Sequence, residues 1–180
     1  MTAYYNDVSD YILTDLGAVD GNDNRATIYR NVDATLIGGE LSARRKWAGH
    51  WITRGTAAYV HAENDSDGTA LPQTPPLEGT VGVDYEAAAW DAGAEVRMVA
   101  EQDRVDLASG QDVQETPGYA VVNLEGGVNL GKQARLSLGV DNLLDKTYSE
   151  HINRQDPTTG QGLLVNEPGR SLWARVKATF

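Results

Sequence analysis

From Leu172 to Phe180 apolar and polar residues alternate without a break. Leu172, Ala174, Val176, Ala178 and Phe180 fall on one face of an extended chain, and Trp173, Arg175, Lys177 and Thr179 fall on the other. Successive strand side chains point to opposite faces, so this segment reads as a strand with one apolar and one polar surface. The same pattern recurs along most of the 180 residues, in stretches of about ten residues bounded by turn formers. A chain patterned in this way is constrained to an antiparallel sheet that keeps two different surfaces throughout.

The pattern predicts eight strands, at about Thr2–Thr14, Thr27–Lys46, Trp51–Glu63, Leu77–Glu86, Asp91–Glu101, Tyr119–Leu130 and Ala134–Leu143, with the last closing the chain. Within the second, the Gly38-Gly39 pair predicts a bulge or a close approach of a neighbour. Between strands, the connections alternate long and short. Long loops follow the first, third, fifth and seventh strands; short turns at Trp47–His50, after Glu86 and at Gly131–Gln133 join the others. A transmembrane β-barrel sorts its loops this way, with long extracellular loops and short periplasmic turns. That sorting predicts an all-β, antiparallel up-and-down meander of about eight strands, forming part of a transmembrane barrel, with both chain ends periplasmic.

Composition fits this reading once the geometry is taken into account. The formal net charge is −11 and 23% of residues are charged, with no apolar run long enough for a membrane helix. In a barrel wall only alternate residues meet lipid, so an average hydrophilicity excludes nothing. An acidic chain is a poor partner for nucleic acid. The absence of cysteine rules out a disulfide framework and a thiolate metal site. The charges Glu78, Asp84, Glu95, Arg97, Glu101, Glu125, Arg135, Arg175 and Lys177 share the polar face and are expected to line a wet or plugged lumen. Aromatics flank the strands: Trp47, Trp51, Trp90 and Tyr119 are expected at the short turns, and Tyr29, Tyr59 and Tyr148 at the long loops, as two membrane-interface girdles. The amino-terminal Met1-Thr2-Ala3-Tyr4-Tyr5-Asn6-Asp7 has no features of an export signal, which predicts that the chain starts inside a longer polypeptide.

Val140-Asp141-Asn142-Leu143-Leu144-Asp145-Lys146-Thr147-Tyr148 resembles the penultimate-strand motif of TonB-dependent outer-membrane receptors, and Glu167-Pro168-Gly169-Arg170-Ser171-Leu172-Trp173 through Phe180 resembles their final strand. Thr74-Pro75-Pro76-Leu77-Glu78-Gly79 and Tyr29-Arg30-Asn31-Val32-Asp33-Ala34 resemble earlier strands of the same barrel. The resemblance covers the whole chain, residues 1–180, as one domain: the last eight strands of a barrel that in this family has about 22. It implies residence in the outer membrane of a Gram-negative cell. It also implies uptake of a metal ion or metal chelate, energised by the TonB complex acting on a plug domain. The loop phrases Ser149-Glu150-His151-Ile152-Asn153-Arg154 and Val165-Asn166-Glu167-Pro168-Gly169-Arg170 most resemble the copper-receptor subgroup, with siderophore receptors close behind. The plug, the TonB box and the preceding strands are not found in these 180 residues. In this family the terminal aromatic, here Phe180, forms part of the signal read by the barrel assembly machinery.

No catalytic motif is present, and no resident cofactor is expected. Metal contact is expected at the long loops: His61 and Glu63 share one side of a strand end, and Glu150 and His151, with Asn153, open the last loop. Imidazole with carboxylate suits a borderline divalent metal. Met98 falls on the apolar face, where lipid contact is expected, and Asp103, Asp106 and Asp112 are expected to be solvated loop charges because their spacing fits no calcium loop. Two further readings stay open. One is a self-contained eight-stranded outer-membrane barrel with a structural, adhesive or lipid-binding role. The other is a soluble ligand-binding barrel.

Overall fold

The computed structural model describes residues 1–19, 25–152, 154–155 and 162–179. Eight long strands form one antiparallel sheet: β1 (Thr2–Val19), β2 (Arg25–Lys46), β3 (Trp51–Asn64), β4 (Glu78–Glu86), β5 (Trp90–Val99), β6 (Tyr119–Leu130), β7 (Ala134–Asp141) and β8 (Ser171–Ala178). Each pairs with its neighbours in sequence, in the order β1 to β8. A two-residue piece, Thr69–Ala70, pairs with the end of β3, and Arg154–Gln155 pairs with Gly162–Leu163 in the last loop. The all-β up-and-down meander is therefore the observed fold. Among the described residues β1 and β8 do not pair with each other, so the sheet is open and does not close on itself as a small barrel.

Strand boundaries differ from expectation mainly at the long-loop end. β1 continues past Thr14 to Val19 because β2 supplies partners as far as Arg25, so glycine at position 17 does not end the strand. Register shifts lie in β1 instead, between Val8 and Tyr11, where Asp10 takes a φ of 58°, and between Asp15 and Ala18. At Gly38 the register is unbroken, and the Tyr4 ring lies where a side chain would project. The expected close approach occurs there, without a bulge.

Register places Arg54, Glu78, Asp84, Glu95, Arg97, Glu125, Arg135, Arg175 and Lys177 on one charged face. The opposite face carries Ile37, Leu41, Val81, Val83, Met98, Leu138, Leu172 and Val176, all exposed; Leu172 is 78% exposed and Val81 58%. A soluble barrel reverses this arrangement and buries its apolar row. The clusters of apolar burial lie on the charged face at the long-loop end, while Ile52 is buried by itself on that face at the short-turn end. At the long-loop end Leu13, Val32, Ala34 and Ala62 pack under Leu71 of the β3–β4 loop, and Val99, Tyr119 and Val121 pack under Tyr148. The loops thus fold over the charged face.

At the other end, the outward-facing Trp51, Tyr85 and Trp90 form an aromatic row, with centroids 5.0 and 5.3 Å apart. Tyr59, on the same face of β3, stands eight residues beyond Trp51, about 26 Å along an extended strand. Tyr119 departs from expectation. It begins β6 opposite Val99, at the long-loop end, and is buried on the charged face.

Candidate functional site

The charged face is built of cross-strand ion pairs. Arg54 on β3 donates from Nε to Asp84 on β4 at 3.0 Å and also bonds Glu95 on β5, with Glu125 on β6 3.8 Å away. One guanidinium therefore ties four strands. Nearer the long loops, Arg97 donates to Glu78 at 2.7 Å and to Glu150 at 2.6 Å, and the Tyr119 hydroxyl donates to the same Glu150 carboxylate at 2.8 Å. Burial raises the Glu150 pKa, but the bonds from Arg97 and Tyr119 outweigh it and hold the carboxyl below its usual range. Arg135 bonds Asp91, and donates to Asn129 at 3.2 Å. Arg175 lies 5.7 Å from the Trp173 ring; neither it nor Lys177 makes an ion pair among the described residues. Glu101 is exposed, two residues past the end of β5.

Three loops meet above this face around Asp112, which is buried. Its carboxylate accepts from the Gln73 backbone N–H at 2.8 Å, the Gln73 side chain at 3.0 Å and the Asp106 backbone N–H at 2.8 Å. His151 Nε2 stands 3.6 Å from Asp112 Oδ1, and His151 Nδ1 lies 3.1 Å from the Thr116 hydroxyl. Burial lowers the His151 pKa, with Asp112 opposing, which favours the neutral imidazole. The same β5–β6 loop reaches back to β1: Leu16 N–H donates to the Ser109 carbonyl at 2.7 Å, and the Gln111 side chain donates to the Thr14 carbonyl at 2.8 Å.

This geometry corrects the reading of Asp106 and Asp112 as solvated. Asp106 is 7% exposed and caps the backbone N–H groups of Ala108 and Ser109, and Asp112 is 5% exposed; only Asp103 remains at the surface. Their short spacing and the serine and glycine between them signal a capped turn. Thr116 and Gln73 were not legible as partners, because nothing local joins them to Asp112.

The four residues expected to contact metal form two pairs, each engaged by other partners. His61 and Glu63 are 3.3 Å apart on the apolar side of β3, and both meet Arg104 of the β5–β6 loop, at 3.0 Å and 3.6 Å respectively. Glu150 and His151 are engaged by Arg97, Tyr119, Thr116 and Asp112. Among the described residues no group of three His, Cys, Asp or Glu is placed to hold a metal. Met98 lies exposed on the apolar face. Asn153 and Phe180 lie outside the described residues.

A single antiparallel sheet with one apolar outer row, one ion-paired face and loops sorted to one end is the wall of a membrane β-barrel. Residues 1–143 match the family model described as TonB dependent receptor-like, beta-barrel, and the chain belongs to this family of outer-membrane receptors. The curated ferric enterobactin receptor of Pseudomonas aeruginosa is 26% identical over 205 residues. The structure of the copper transporter OprC is similar over 99% of the chain, with 38% identity and a TM-score of 0.89. The ferric enterobactin receptor PfeA of Pseudomonas aeruginosa superposes over 99% at 25% identity with a TM-score of 0.72. The ferric citrate transporter FecA, at 20% identity and a TM-score of 0.73, shares the fold. The chain spans 27% of the curated relative and 28% of each of these structures.

Proposed function

We propose that this chain forms part of the wall of an outer-membrane receptor that imports copper, as ion or chelate, with TonB driving a plug domain supplied outside these residues. One observation carries the reading: similarity to the copper transporter OprC, at 38% identity and a TM-score of 0.89, exceeds that to the enterobactin receptor PfeA, at 25% and 0.72. In this reading the long loops are extracellular, the charged face lines the lumen against the plug, and the apolar face meets lipid. The open edges of β1 and β8 support a larger barrel, since unpaired strand edges are not tolerated in hydrocarbon.

The metal contacts proposed at the outer loops are His151 and Glu150, with His61 and Glu63. Because no third ligand joins either pair among the described residues, capture by them calls for donors from elsewhere in the receptor. The test is metal analysis of the purified complete receptor after exposure to copper(II) or to ferric enterobactin. Copper retained in stoichiometric amount supports the reading; retention of the ferric chelate without copper overturns it. In the same receptor, His151→Ala is expected to weaken copper binding, and unchanged affinity would reduce His151 to a residue that holds the loops together.

A further inference from the structure

Three consecutive cations, Arg44, Arg45 and Lys46, end β2, and strand alternation sends the middle one to the face opposite its neighbours. Arg44 and Lys46 each stand 3.6 Å from a Glu86 carboxylate oxygen on the charged face. Arg45 instead pairs in register with Thr53, in the same outward row as Leu41 opposite Ala57 and Ala43 opposite Gly55. It is exposed, and no carboxylate pairs with it among the described residues.

Its position is nevertheless fixed. The guanidinium lies over the Trp47 ring, 3.9 Å from the centroid, and the Trp47 indole N–H donates to the Thr53 hydroxyl at 3.0 Å. Stacking occupies the face of the guanidinium and leaves its edge N–H groups free to bond. Trp51, Tyr85 and Trp90 mark the same end of the outward face, and rings of this kind settle at the head-group level of a bilayer. A pre-positioned cation at that depth, with no neutralising carboxylate, matches a phosphate diester, whose oxygens accept from the fork of N–H groups.

We infer that Arg45, held by Trp47 and Thr53, binds the phosphate of a glycerophospholipid in the leaflet at the short-turn end of the sheet. This rests on the membrane-wall reading above and adds to it one lipid contact of defined chemistry. The neighbouring exposed residue of the row, Leu41, four residues further into the wall, would lie against the acyl chains.

The experiment is native mass spectrometry of the complete receptor in detergent, titrated with phosphatidylglycerol, with diacylglycerol of the same chains, and with glycerol phosphate. Arg45→Gln is expected to weaken phosphatidylglycerol binding about fivefold. Arg45→Lys should recover part of it, and Arg175→Gln on the charged face should leave it unchanged. Diacylglycerol should bind weakly and without dependence on Arg45. Wild-type affinity in Arg45→Gln would overturn the site, as would displacement of the lipid by equimolar glycerol phosphate, which would mark a soluble-phosphate site. If neither lipid binds any variant, the membrane-wall reading itself fails, an outcome distinct from loss of Arg45 dependence alone.

Discussion

Asp112 holds the long-loop end together with one carboxylate: its oxygens accept from Gln73 of the β3–β4 loop and from Asp106 of its own loop, and face His151 across 3.6 Å. A buried, hydrogen-bonded carboxylate is costly to truncate, because the donors it satisfied are left without partners. Asp112→Ala is expected to destabilise the docked loops by about 3 kcal/mol, read as faster amide exchange across residues 102–116 and 142–152 of the complete receptor. Exchange unchanged at both would show that the carboxylate ties nothing. His151 adds a dependence on pH. Burial holds its pKa below the usual imidazole value, so on acidification the undocked loop takes up a proton before the docked one. Its contribution to docking is therefore complete above about pH 6.5 and fades as pH falls below that value. Glu150, held below the usual carboxylate range by Arg97 and Tyr119, keeps its contribution until pH falls further. Exchange of residues 142–152, corrected for intrinsic rate, should rise between pH 7.5 and 5.5, and His151→Gln should flatten that rise. None of this is visible in sequence. Asp112 sits between Gln111 and Val113 in a polar loop, and its burial depends on chain arriving from Gln73 and from His151.

Among the elements, the strands were the most legible part, because period-two alternation is imposed by the backbone itself and survives any tertiary context. β6 begins and ends at the residues expected, Tyr119 and Leu130. Boundaries failed where a neighbour, rather than local residues, decides how far pairing runs, as in β1. Alternation also says nothing about how large side chains are accommodated on the charged face. There, glycine stands directly opposite the bulky residue: Gly38 opposite Tyr4, Gly82 opposite Arg54 and Gly139 opposite Trp173. The Trp173 ring lies over Gly139, and its indole N–H donates to Asp141 at 3.3 Å. Gly139→Val is expected to displace the ring, break that bond and cost about 1–3 kcal/mol. The checking measurement is the temperature at which the complete barrel loses its folded mobility in gel electrophoresis, with Trp173→Ala as a background in which the same substitution should be nearly neutral.

At the scale of the whole molecule, the open sheet makes the last strand a joint as well as a wall. Phe180 follows β8, and we propose that it serves as part of the assembly signal, its ring ending the apolar row of Leu172 and Val176 at the interface. Deleting Phe180 from the complete receptor should lower the amount of assembled barrel far more than total synthesis, by cell fractionation and blotting; equal assembly would assign it ordinary strand packing. The meander also carries a kinetic order. Among the described residues the long strands pair with their sequence neighbours, so hairpins can form one after another as chain becomes available, each closing no more than the loop between its two strands. The bond from Gln111 back to Thr14 spans 97 residues and cannot form until the intervening strands are in place. Such a tie comes too late to hasten folding. Its effect falls on escape from the finished state, as a clasp that slows the unzipping of β1 once the sheet is complete.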